Sequence, residues 1–423
     1  MLPNLETLYW AFFIVLFIPI YAMKDETKEY NFNLVYQWHR VEYQYPSEAE
    51  RTEAIKNGSY RIDILRPLDA QYTYHLKTKQ DRYFITVPRR ERTGTPATLG
   101  VINTKEPSRL KTHVIDPYPA WSWHVDMEKC NYHRIVNAYT VWADECNRLW
   151  VIDNANINND FICPPQILAF DLESDTLLYK YELPYDQYHN NNKYQNVSYY
   201  STPIAEVESM EDNCMKTWLY VADPEGPRLL VYNLEKNISW TIQDQSFHPD
   251  PNYEYYTVGG VSFHLEDGIL SLALSPKTDP PGERKLFYHA MSNVRESWVY
   301  LRHLKNPDNF KEPYGSSQLF YTYPTTRDQQ SPVEAIDSKG IVYFALLTDV
   351  LIVKWDPTTP YSKENFIVIA DNKTTMQFPT SMKVIQNVRD GSEYLFVFPT
   401  AFQKFSEPVD QDKVNVCLFR AKL

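Results

Sequence analysis

Arg148–Ala155 reads RLWVIDNA, and Thr217–Pro224 reads TWLYVADP. Both are short apolar runs, rich in aromatic and branched residues, that end in an Asp beside a turn former. Such side chains pack well on a pleated surface, and roughly four to eight residues is the length of a strand. The same run recurs upstream at Arg82–Arg89 (RYFITVPR) and downstream at Gly268–Pro276 (GILSLALSP), Ile341–Asp349 (IVYFALLTD) and Glu393–Phe402 (EYLFVFPTAF). A second short strand follows each copy: Leu99–Lys105, Ile167–Glu173, Leu229–Glu235, Ser297–Leu304, Leu351–Pro357 and Val414–Ala421. Several of these close on a turn-forming Asp or Asn, as at Asp171, Asn233 and Asp356.

The six pairs are spaced about 62 residues apart between Tyr83 and Leu395, enough for a blade of four strands with its loops. The spacing predicts an all-β chain, a six-bladed β-propeller, in which each small sheet buries a face on its neighbours and leaves only short edges. The last pair lies near the end of the sequence, so the ring is expected to close in the first blade with strands from both ends. A pair of β-sandwiches would place a boundary mid-chain, and none is visible. One helix is predicted, at Ser47–Lys56, with Ser47 as N-cap and Glu50 at the capping-box spacing.

Composition agrees with a β chain. Of 423 residues, 43% are hydrophobic and 15% aromatic, with 33 Tyr; Gly is scarce at 11, so the 29 Pro and the many Asn and Asp make most of the turns. The net charge of −12 lacks the basic footprint that nucleic acid or an anionic membrane needs, and neither partner is expected.

Leu8–Ala22 (LYWAFFIVLFIPIYA) is an apolar run of 15 residues, short of the roughly 20 that span a bilayer. It ends in a small residue, and it reads as a secretory signal although Glu6 stands where a basic residue is usual. The expected organisation is therefore a signal peptide over 1–22 and a single propeller domain over 23–423, secreted and extracellular. Four glycosylation sequons, at Asn57, Asn196, Asn237 and Asn372, fit that route. Five cysteines, Cys130, Cys146, Cys163, Cys214 and Cys417, include no C-x-x-C pair, so two disulfides and one odd thiol are expected, with the pairing open.

Several segments resemble the yellow / major royal jelly protein family of insects: Trp121–His124 (WSWH), Asp144–Asp153 (DECNRLWVID), Cys163–Asp171 (CPPQILAFD) and Tyr220–Gly226 (YVADPEG). The resemblance runs from about Asn33 to the end. It implies a six-bladed propeller, secretion and no catalytic machinery common to the family. It also implies the pairs Cys130–Cys163 and Cys146–Cys214, leaving Cys417 as a buried apolar residue. In the family's salivary branch, small biogenic amines bind in the central channel through a Thr on one strand and an S-N-x-F run on the next. Thr380 and Phe402 match those positions, whereas Thr400 replaces the Asn and Pro399 the Ser. Losing the amide removes an acceptor, so Thr380, Thr400 and Phe402 either contact an amine or catechol or only pack the channel.

No G-x-S-x-G elbow, P-loop, G-x-G-x-x-G or H-E-x-x-H is present. No two of the ten His lie four apart, and neither a metal nor a cofactor is expected. Asp153 and Asp223 end repeat strands and are read as turn caps. The functional expectation is a secreted glycoprotein without catalysis that binds a small aromatic amine in its channel. The alternative is a melanin-pathway enzyme acting on dopachrome, with His124, beside Trp121 and Trp123, as its acid–base candidate.

Overall fold

The structure, a computed structural model, describes residues 30–104, 113–125, 127–189, 198–280 and 282–423. The signal segment over 1–22 and Asn196 lie outside the described residues. Six antiparallel blades are present. Their innermost strands are, in chain order, Asp69–His75, Ala138–Ala143, Pro203–Val207, Ile269–Leu274, Glu334–Ile336 and Pro379–Gln386. Each contacts the next and the last contacts the first, so the ring closes around a central channel.

The repeated run is the second strand of its blade in five of the six: Gln80–Thr86, Arg148–Asp153, Thr217–Asp223, Val342–Leu346 and Glu393–Pro399. This strand is buried on both faces by its neighbours, which is why it reads as a continuous apolar run. The fourth repeat corrects the sequence reading. Ile269–Leu274 is an innermost strand, and the second strand of that blade is Lys285–Ala290. Both are buried runs of six residues, so composition alone does not separate them.

The closure is also corrected. Asn33–Trp38 pairs antiparallel with Val416–Lys422, putting Trp38 opposite Val416 and Gln37 opposite Cys417. The ends therefore meet in blade six rather than blade one. The chain then passes at once to blade one, where Glu42–Tyr43 lies parallel to Val114–Pro117 on its outer edge. The N-terminal segment thus staples the last blade to the first. The helix is Glu48–Lys56, and the Ser47 hydroxyl accepts from the Glu50 amide.

The signature run around Trp150 is a structural knot. Asp144 accepts from the Cys146 and Arg148 amides, Arg148 Nε and Trp150 Nε1. Arg148 reaches on to the Thr217 hydroxyl and the Cys214 carbonyl in blade three. Cys146–Cys214 spans the same junction, and Cys130–Cys163 ties down the loops flanking blade two. Each bridge closes a loop whose lost unfolded-state entropy is worth roughly 4 kcal/mol in the chain-entropy model. Cys417 is a free, buried thiol, pushed up by burial to about 11, and behaves as a small apolar group.

Candidate functional site

A cavity of about 310 Å³ occupies one mouth of the channel. It lies where the innermost strands begin and the second strands end, so its walls combine strand termini with the loops that follow them. A hairpin between blades three and four, Tyr255–Val258 paired with Val261–His264, flanks this mouth. Its two-residue turn uses Gly259 and Gly260 at positive φ (56° and 83°), as a tight primed turn requires. Phe263 of the hairpin stacks on Tyr256 and lies 6.0 Å from Phe378.

The two sides of the cavity differ in charge. On the side of blades six and one, Phe378, Phe402 and Phe405 form an aromatic series with centroids 5.0 and 4.8 Å apart. Arg66 and Arg90 lie over Phe405 at 5.6 and 4.5 Å. Burial pulls both guanidinium pKa values down. On the side of blades three and four stand Glu225 and Asp267. Burial, then the Glu225 charge, pushes the Asp267 carboxyl up to about 7; burial and neighbouring acids raise Glu225 as well. Tyr139 and Tyr199, edge to face at 5.4 Å, stand on the wall between the two sides. Lys383 is closed to ligands: its ammonium donates to both oxygens of Asp69 and to the Val141 carbonyl.

A family model described as "Major royal jelly protein" matches residues 136–423. The chain belongs to the yellow / major royal jelly protein family. Major royal jelly protein 9 of Apis mellifera is 32% identical over 412 residues, covering 95% of this chain and 90% of the relative. Major royal jelly protein 8 of the same bee is 31% identical over 360 residues, covering 84% and 80%. A Drosophila melanogaster protein named dopaminechrome tautomerase is 28% identical over 364 residues, covering 84% and 74%.

Of the positions that the family resemblance singles out, the structure brings two together. Thr380 and Phe402 both line the cavity, although the Thr380 hydroxyl already donates to the Leu68 carbonyl at 2.5 Å. Thr400 does not line it. Ala401 takes a left-handed conformation (φ 50°, ψ 51°) that turns the chain between the two residues, leaving Thr400 fully buried and Phe402 at the cavity. His124 is also elsewhere. Its Nε2 lies 2.9 Å from the Tyr118 carbonyl, and burial, then Arg89, lowers it to about 3. The ring is held neutral and does not line the cavity. Two of the acids that face the cavity, Asp267 and Glu225, sit on connecting loops, where no strand period marks them.

Proposed function

We propose that this protein is a secreted, glycosylated member of its family that holds a small aromatic amine at the channel mouth without turning it over. Secretion is supported by the apolar segment Leu8–Ala22 and by two disulfides, which persist in oxidising compartments. Asn57, Asn237 and Asn372 are exposed, as glycan acceptors must be. The observation that carries the ligand reading is the divided cavity. An ammonium suits Asp267 and Glu225, an aromatic ring suits Phe402 and Phe378, and a phenolic oxygen at the far end suits Arg66 and Arg90. Charge-assisted pairing and ring stacking in a partly dry pocket are the usual means of holding such a ligand.

Calorimetric titration with serotonin and dopamine tests this. Micromolar binding is expected, weakened at least tenfold by Phe402→Ala and by Asp267→Asn. Affinity should rise as pH increases through about 7, because Asp267 must lose its proton to accept the ammonium. Absence of heat with both amines rejects the reading.

One observation favours a second reading, conversion of a dopachrome-type quinone. Tautomerisation takes a proton from a ring carbon and delivers one to a quinone oxygen, and a carboxyl held near 7 is well matched to that task. Asp267 is such a group, and one relative is named for an activity of this kind. Following the loss of aminochrome absorbance decides it: Asp267→Asn should abolish turnover and His124→Ala should not.

A further inference from the structure

On the channel wall between blades four and five, the fold gathers His289, Glu296 and Glu334 from separate elements. His289 lies on Lys285–Ala290, Glu296 just before the third strand Ser297–Tyr300, and Glu334 at the start of Glu334–Ile336, where it lines the cavity. All three are buried. One ligand-type atom from each lies within 4.8 Å of the others. His289 Nδ1 is 2.9 Å from Glu296 Oε2 and 3.7 Å from Glu334 Oε2.

The surrounding hydrogen bonds show what this group lacks. His289 Nε2 lies 3.0 Å from the Ser331 carbonyl, which can only accept. Nε2 therefore carries a hydrogen, and the neutral imidazole turns the Nδ1 lone pair towards the carboxylates. Glu296 Oε1 and both oxygens of Glu334 are buried with no backbone, amide, hydroxyl or cationic donor, and the two carboxyls have only each other. Arg327 is the neighbouring cation, yet it stops 3.6 Å from Glu296 Oε2. Its N–H groups donate instead to the carbonyls of Gln329, Arg295 and Asn293 and to the Tyr361 hydroxyl.

We propose that His289 Nδ1, Glu296 and Glu334 hold a divalent transition-metal ion of the zinc type. Atoms each about 2.0–2.2 Å from one ion stand roughly 3–3.5 Å apart, close to the 2.9 and 3.7 Å from His289 Nδ1 to the two carboxylates. The Ser331 carbonyl fixes the imidazole tautomer, as the outer partners of metal-bound His do. One nitrogen with two carboxylates suits zinc. Calcium, which takes roughly six to eight oxygens, would find too few. Three protein ligands leave a coordination position open, and Glu334 places the site beside the channel.

The test uses tag-free, full-length secreted protein treated with a chelator and titrated with zinc chloride, followed by calorimetry and by metal content after desalting. One zinc ion per chain with micromolar or tighter affinity is expected, with little response to calcium chloride at the same concentration. Glu334→Gln keeps the side-chain volume and should weaken zinc at least tenfold. No uptake by the unaltered protein overturns the proposal, and a proton shared between the two carboxyls then fills the gap. Equal uptake by the unaltered protein and Glu334→Gln also overturns it. If Glu334→Gln is not secreted, the double variant Glu254→Gln, Glu266→Gln decides, since those acids, half-buried and exposed, flank His264 in the other trio of suitable residues. Uptake retained there supports the buried site; uptake lost there overturns it.

Discussion

Asp153 in blade two and Glu334 in blade five are both buried carboxylates at the channel end of a strand, and their surroundings are opposite. Asp153 accepts from the amides of Val136, Asn137 and Ala155, from the Gln166 side chain and from Arg134. Asp223 in blade three is likewise filled by Ser198, Tyr199, Gly226 and Arg228. Glu334 has no donor on either oxygen besides the Glu296 carboxyl that faces it. A buried carboxylate costs several kcal/mol to desolvate unless its lone pairs are met. Blades two and three meet that cost locally and hold the ring in shape. Around blades four and five, Glu334 finds no such donors, and Asp267, half-buried at the cavity, keeps a raised carboxyl. The difference separates acids that build the propeller from acids left available for a ligand.

The largest effect should come from breaking the saturated side. Arg134→Met removes the cation from Asp153 while its neutral donors stay in place, stranding a buried charge. Such losses cost about 3–5 kcal/mol, read as a lower denaturant midpoint with the disulfides intact. A loss under about 1 kcal/mol would mean that the amide donors alone hold Asp153, and its contrast with Glu334 would shrink accordingly.

Asp267 tests the other side through pH. Its carboxyl is raised from an ordinary 3.8 to about 7 in the folded chain. The folded state thus binds the proton more tightly than the unfolded state. The group's contribution to stability is fully present below about pH 4 and is lost as pH rises through 7. Asp267→Asn should flatten that fall, leaving the variant more stable than the parent at pH 8 by on the order of 1–2 kcal/mol. Melting temperatures collected from pH 4 to 8 check both the slope and its sign.

The residues that build the ring were legible in the sequence, and those that face the cavity mostly were not. Arg148–Asp153 and Thr217–Asp223 announce themselves because strands buried on both faces carry unbroken apolar runs. The same property misplaced Ile269–Leu274 by one strand, since innermost and second strands share it. Closure in blade six could not be read, because Asn33–Trp38 pairs with Val416–Lys422 across nearly the whole chain and no local pattern encodes that. Thr380 and Phe402 were found by resemblance. Thr400 does not line the cavity, because the left-handed turn at Ala401 separates its direction from that of Phe402. Asp267, Glu225 and the His289–Glu296–Glu334 group depend on loops and strands of different blades converging, and their spacing along the chain resembles no motif.

The smallest expected effect sharpens the comparison most directly. Glu254, His264 and Glu266 repeat the chemistry of the buried trio, one imidazole and two carboxylates, but at the surface. His264 Nε2 lies 3.3 Å from Glu254 and 3.7 Å from Glu266, with His264 40% and Glu266 68% exposed. Water can supply every donor that Glu334 lacks, and exposed pairs of this kind are worth about 0–1 kcal/mol. Glu266→Gln should therefore move stability by no more than about 0.5 kcal/mol in either direction, measured by the same denaturation as Arg134→Met. If it costs as much as Arg134→Met, residue type rather than hydration governs these acids. The lack of donors around Glu334 would then no longer mark it as a site.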